Sequence, residues 1–178
     1  VLFLDGSPDE PALVFAGDAR GNVYAVDAVS GELVWERFVG TSPTHHWITG
    51  GLQHYDGKLL VPYSSREVIT SAASLDTCCT TNGLVVAVDP YTGAELWTYH
   101  TTAEASFDLS TLKYAPSGAA IWSVPTIDEK RNRLYVGTGQ NYSRPATETS
   151  DAIIALNLDT GEQQWVFQAR EADVWNAA

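Results

Sequence analysis

Two cysteines stand side by side at Cys78-Cys79, and they are the only ones in the chain. Adjacent thiols can stay a free pair. They can also close on each other in a small ring that strains the peptide between them, an arrangement found mainly where it has a task. That second form belongs to an oxidising compartment. Two adjacent imidazoles occur in Thr44-His-His-Trp-Ile-Thr49. On a strand, neighbouring side chains point to opposite faces, so His45 and His46 read as a surface pair and not as two ligands of one metal. Asn141-Tyr-Ser143 has the pattern of a glycosylation acceptor and nothing more. The chain shows neither a phosphate-cradling glycine loop nor a Ser-His-Asp order beyond chance.

A repeat must position these residues. Its copies read Gly21-Asn-Val-Tyr-Ala-Val-Asp27-Ala-Val-Ser-Gly31-Glu-Leu-Val-Trp35, Gly83-Leu-Val-Val-Ala-Val-Asp89-Pro-Tyr-Thr-Gly93-Ala-Glu-Leu-Trp97 and Ala152-Ile-Ile-Ala-Leu-Asn157-Leu-Asp-Thr-Gly161-Glu-Gln-Gln-Trp165. In each, a β-rich run enters Asp or Asn, a Ser/Thr-Gly turn follows, and a second strand closes on Trp. The acidic or amide side chain can bond the backbone two residues on, and Gly tolerates positive φ. Leu84 to Val88 is apolar throughout and reads as a strand buried on both faces. One hairpin cannot bury its Trp ring, so neighbouring copies must stack on it. Further β-runs precede each copy, at 12–17, 58–63 and 133–137, with first strands expected at Ile48 to Tyr55 and Ile121 to Ile127. Four-stranded antiparallel sheets in radial repetition make an all-β propeller. The expected division is an incomplete blade over 1–40, blades over 45–100 and 119–168, and the link to a following blade over 169–178. Propellers close with about four to eight blades, so the chain reads as a fragment of one.

Strand counting also selects a working face. In a four-stranded meander, the loop from the second to the third strand and the link to the next blade emerge on one side. Every long connection here falls on that side: Ser64 to Asn82, Thr98 to Ala120, Gln140 to Ser150 and Ala169 to Ala178. Loops this long in a compact β-fold usually serve a function. Cys78, Cys79, Trp122, Gln140, Asn141, Asp173 and Trp175 lie on or beside this face. The net charge of −12 argues against nucleic acid and anionic membranes as partners. The absence of an 18-residue apolar run argues against insertion in a membrane.

Three segments carry a family likeness: Gly118-Ala-Ala-Ile-Trp-Ser-Val-Pro-Thr-Ile-Asp128, Leu134-Tyr-Val-Gly-Thr-Gly-Gln-Asn-Tyr-Ser143 and Pro145 to Leu156. Together they resemble the pyrroloquinoline quinone-dependent alcohol dehydrogenases, most of all the polyvinyl alcohol dehydrogenase branch, and Thr77-Cys-Cys-Thr-Thr-Asn-Gly83 is similar to that branch too. The resemblance implies an eight-bladed quinoprotein propeller in the periplasm, with the quinone over its central channel and Ca²⁺ bridging quinone and protein. It also implies a primary or secondary alcohol as substrate, a polymeric one included, and a cytochrome c or other acceptor for the electrons. A haem c, where present, lies in a domain outside this stretch. The alternative expectation is a non-catalytic propeller that acts as a protein-binding scaffold of the outer-membrane assembly type.

Roles carry over residue by residue. Trp122 matches the indole that stacks on one face of the quinone, and Cys78-Cys79 resembles the disulfide packed on the other face in many relatives. Gln140, after Gly137-Thr-Gly139, falls where relatives place an Asn or Asp on the metal, and Asn141 beside it offers a second amide oxygen. Ca²⁺ takes six to eight oxygens, commonly with carboxylates among them. Glu171-Ala-Asp-Val-Trp-Asn176 matches the loop of the catalytic base. Asn176 stands where the methanol dehydrogenase type has Asp, and Asn cannot accept a proton, so Asp173 is the candidate base. Two departures stand out. The cysteine pair stands near where that type places a Glu metal ligand, so either the site is arranged differently or that ligand is absent, and the Arg that relatives often have near Trp47 to hold a quinone carboxylate is absent.

Overall fold

The structure, a computed structural model, describes residues 1–73 and 78–174. The first unit is a complete antiparallel sheet of β1 (Leu2–Leu4), β2 (Leu13–Gly17), β3 (Asn22–Asp27) and β4 (Leu33–Phe38), in that order. This corrects the expectation of an incomplete blade over 1–40. A three-residue strand carries no alternation to read, and only its pairing with β2 reveals it. In the second unit the expected strand from Ile48 to Tyr55 is two short pieces, β5 (His46–Trp47) and β6 (Gln53–Tyr55). Both pair with opposite ends of β7 (Lys58–Ser65), and Gly50-Gly51 lies between them. A seven-residue helix, α1 (Glu67–Ala73), follows β7; two turns are too few to print a helical period on the sequence. The sheet is completed by β8 (Leu84–Val88) and β9 (Glu95–His100).

The link to the third unit carries a small hairpin, β10 (Ser106–Asp108) with β11 (Lys113–Ala115). The third sheet runs β12 (Thr126–Asp128), β13 (Arg133–Gly137), β14 (Ala152–Asn157) and β15 (Gln163–Gln168). Its first strand is shorter than expected because Pro125 has no N–H for the ladder; Ile121 makes only an isolated bridge to Thr138.

Each repeat turn is built alike. The Oδ1 of Asp27 accepts from the amides of Val29 and Ser30, that of Asp89 from Tyr91 and Thr92, and that of Asn157 from Asp159 and Thr160. Those bonds hold the part-exposed Asp27 carboxyl below its usual range, with the Ser30 amide the main cause.

Stacking is set by the Trp residues. Trp35 Nε1 donates to the carbonyl of Pro90 at 2.9 Å, and Trp97 Nε1 to that of Leu158 at 3.2 Å. Both acceptors sit one residue after the Asp or Asn that opens the next unit's turn. That turn's Gly receives the ring: a Cβ on Gly93 would lie 3.1 Å from Trp35, and one on Gly161 2.5 Å from Trp97. Two apolar cores result. One joins Leu13, Phe15 and Trp35 to Leu59, Val61 and Val86; the other joins Leu60, Val85 and Trp97 to Leu134, Ile154 and Leu156. The middle sheet is covered on both sides, so all of β8 is buried, as its uninterrupted apolar run anticipates.

Candidate functional site

On the long-loop face, a third and smaller cluster gathers Cys79, Ala120 and Tyr142, with Val68, Cys78 and Trp122 packed against it. Its members come from three connections: the β7–β8 loop, the link before β12 and the β13–β14 loop. Backbone bonds sew these together. Gly83 donates to Gly118, Ala119 to Gln140, Tyr142 to Ser117 and Gly139 to Ala120. The three residues matched to quinone contacts, Trp122, Cys78 and Cys79, thus share one cluster. Cys78 and Cys79 are joined as a disulfide.

Beside the disulfide sits Glu67, which the sequence reading did not single out. It is buried, and the ligand atoms of Glu67, Cys78 and Cys79 all lie within 4.8 Å of one another. Its carboxylate accepts from the Thr80 amide at 3.0 Å, the Thr81 amide at 2.7 Å and the Thr81 hydroxyl. Its own amide donates to Ser65 Oγ at the start of α1. A carboxylate therefore does lie beside the cysteine pair, arriving from the far end of the loop. An Arg also arrives. Arg66 lies with its guanidinium carbon 5.5 Å from the Trp47 ring centre, and its amide donates to His45 O. The available signal was a lone Arg-Glu pair directly after β7, a strand of almost wholly buried residues.

The two amide candidates separate. Asn141 is buried and its side chain is committed: Nδ2 donates to Ser117 O at 2.9 Å, and Oδ1 accepts the Thr147 amide at 2.7 Å. It ties the β13–β14 loop. The half-buried Gln140 engages its backbone carbonyl with Ala119, while its side-chain amide makes no hydrogen bond among the described residues. Asp173 is drawn in by its backbone, whose carbonyl accepts from Asn141 N at 3.3 Å, and its carboxylate lies 3.7 Å from Arg170 Nε. Asp151 faces it. Burial, and then the Asp173 charge, raise the Asp151 carboxyl above its usual range, and its Oδ2 is buried without a partner among the described residues. Trp175 and Asn176 lie outside the described residues.

The histidine pair is a correction. His46 is buried, not on the surface. Its Nε2 contacts Asn82 O at 3.0 Å, and its Nδ1 accepts the amides of Thr41 and Ser42, both at 3.2 Å, so the proton belongs on Nε2. Burial pushes its pKa down to about 4. A cavity of about 700 Å³ borders the same segment, lined by Thr41, Ser42, Thr80, Thr81, His100 and Glu104 among others.

Comparison with known proteins shows the family. Residues 60–177 match the family model described as the glucose/ethanol/alcohol dehydrogenase β-propeller domain of the PQQ type. A polyvinylalcohol dehydrogenase of Sphingopyxis sp. is 35% identical over 169 residues, 92% of this chain and 26% of that protein. A second, from Pseudomonas sp., is 35% identical over 173 residues, 94% of this chain and 27% of that protein. The solved quinohemoprotein alcohol dehydrogenase ADHIIG of Pseudomonas putida superposes with a TM-score of 0.73 at 23% identity, over 92% of this chain and 26% of its own. The chain belongs to the pyrroloquinoline quinone-dependent alcohol dehydrogenase β-propeller family. It spans about a quarter of the length of the polyvinylalcohol dehydrogenases it matches.

Proposed function

We propose that this chain forms the cofactor-holding sector of a periplasmic, quinone-dependent alcohol dehydrogenase. The observation that carries the reading is the convergence of Trp122 and the Cys78-Cys79 disulfide in one cluster, from separate loops on the long-loop face. A rigid indole and a disulfide suit the two faces of a planar, conjugated ring. Arg66, directly before Glu67 in the chain and with its guanidinium over the Trp47 ring, is the proposed cation for an acidic quinone, and Gln140, whose side-chain amide makes no hydrogen bond among the described residues, offers an oxygen for Ca²⁺. Glu67 lends its charge to the site while its oxygens hold Thr80 and Thr81, the residues that follow the disulfide. The quinone, when bound, supplies the two-electron acceptor that side chains lack.

Asp173, held toward Arg170 and beside Asp151, is the proposed acceptor of the alcohol proton. The hydroxyl-lined cavity at Thr80–Asn82 suits further hydroxyls of a polymeric alcohol, the substrate type named in two relatives. A cytochrome c is the proposed electron acceptor. The disulfide fits an oxidising compartment, which supports the periplasm.

The test is a titration of a full-length enzyme carrying this segment with pyrroloquinoline quinone, with and without Ca²⁺, read by tryptophan fluorescence. Saturable, Ca²⁺-dependent quenching that disappears in Trp122→Ala is expected. Quenching absent at every concentration, or unchanged in Trp122→Ala, overturns the reading.

A further inference from the structure

The cavity beside Thr80–Asn82 is lined by groups whose hydrogens are already spent on its own walls. Thr81 Oγ1 donates to Glu67 Oε2, Thr80 Oγ1 to Glu67 Oε1 at 3.4 Å, and Thr102 Oγ1 to Ala103 O at 2.9 Å. Thr41 Oγ1 stands 3.4 Å from His46 Nδ1, which carries no proton, so there too the hydroxyl is the donor. The amides of Thr41 and Ser42 donate to the same nitrogen, and those of Thr80 and Thr81 to Glu67. Asn82 fixes His100. Its Nδ2 donates to Thr102 O at 3.1 Å, which turns Oδ1 toward the His100 ring, 3.1 Å from Nδ1. In the neutral ring Nδ1 therefore holds the hydrogen, and Nε2 keeps a lone pair with no partner among the described residues. Glu104 adds an exposed carboxylate. The exceptions are Ser42, set against His45 Nδ1, and the second hydrogen of the buried Asn82 amide. A hydroxyl that spends its hydrogen keeps lone pairs, so the walls mostly accept and seldom donate. They come from the link before β5, the β7–β8 loop and the link after β9, all around the middle sheet, which has a sheet packed on each side.

We infer that this cavity holds stretches of a chain substrate that still carry hydroxyls and rejects stretches already oxidised, with His100 as the residue that sets the preference. This selection rests on the proposed alcohol oxidation and deepens it. A secondary alcohol that gives its hydride to the quinone and its hydroxyl proton to a base leaves as a ketone. The alcohol brings a donor to the cavity. The ketone brings only lone pairs, which would face the lone pairs of the walls. A site built to receive a hydroxyl hydrogen discriminates against the analogue that lacks it. One carboxylate among neutral acceptors suits hydroxyls better than Ca²⁺, whose sites commonly gather several carboxylates. Thr80 directly follows Cys79, so the cavity adjoins the disulfide's own loop, and repeat units held there neighbour the one that reacts.

The test is equilibrium binding of polyvinyl alcohol to a full-length enzyme carrying this segment, without electron acceptor, so that the polymer is held but not consumed. The pH is kept above 6.5, since desolvation lowers the His100 pKa from that value and the ring is then neutral. The comparison ligand is the same polymer with part of its hydroxyls oxidised to ketones. The wild-type enzyme is expected to bind the unoxidised polymer about tenfold more tightly. His100 is exposed, so its replacement leaves the packing alone. His100→Gln keeps an acceptor and is expected to keep the preference. His100→Lys places a donor there and is expected to abolish or invert it. Glu104→Lys, at a second exposed position, is expected to shift it the same way. No binding, equal binding of both polymers by the wild-type enzyme, or a preference that survives both His100→Lys and Glu104→Lys overturns the selection. An enzyme that oxidises alcohols but binds both polymers alike loses the selection alone. One that binds with the expected preference yet oxidises no alcohol keeps the selection and loses the proposed reaction.

Discussion

His46 makes the stability of this chain depend on pH by an amount the structure sets. The ring is buried between the Thr41–Ser42 link and the strand entered at Asn82, with its Nδ1 lone pair facing two amide donors and its Nε2 hydrogen facing a carbonyl. A proton on Nδ1 would set donor against donor in a buried site. Burial is the main cause of the fall to about 4 from the ordinary 6.5; the His100 and His45 charges push the same way, while the Asn82 carbonyl and the Glu67 charge oppose it. The sign follows. The folded state prefers the neutral ring, so its contribution is complete above pH 6.5, where the unfolded chain also carries no proton there. It is lost as the pH falls from 6.5 toward 4, since the unfolded chain gains a proton that the fold refuses. At about 1.4 kcal/mol per unit, the loss between pH 7.5 and 4.5 is about 2.5 kcal/mol. Urea unfolding of the chain and of His46→Gln at these two pH values measures it, because the difference between the proteins cancels the titration of other groups. The expected result is a wild-type stability that falls about 2.5 kcal/mol further than that of His46→Gln. Parallel pH profiles would refute the argument.

Three other substitutions probe the stack and the site. Gly161→Ala and Gly31→Ala carry the same left-handed strain, about 1–2 kcal/mol, but only the first drives a Cβ against a tryptophan ring. Urea melts should therefore show Gly161→Ala costing about 1–3 kcal/mol more, and equal costs would deny that Trp97 is held there. Glu67→Gln keeps the shape but gives up the charge that the Thr80 and Thr81 amides bond, at an expected cost of about 1.5–3 kcal/mol in the same assay. No change would mean that those bonds contribute nothing to the fold.

The stack was legible in the chain because its rules are local. Asp or Asn at the turn, Gly at positive φ and Trp on the returning strand recur at fixed offsets, and each does by itself what the next copy needs. The unbroken apolar run of β8 announced a sheet covered on both sides. Short elements escaped notice. β1 carries no pattern of its own, and the first strands of the second and third units are cut short near Gly50-Gly51 and Pro125.

The site divided in the same way. Residue type and family likeness were enough to nominate Trp122, Cys78 and Cys79, and folding brings them into one cluster. They could not show that Asn141 spends both ends of its amide on Ser117 and Thr147 while the Gln140 side chain makes no hydrogen bond among the described residues. Nor could they show that Arg66 reaches Trp47, that Glu67 returns to the disulfide, or that His46 is a buried strut. The repeat, its turns and the choice of working face came from chemistry within a few residues along the chain. Which polar groups are free and which are committed depended on partners contributed by other loops, and burial decides that only when the sheets have stacked.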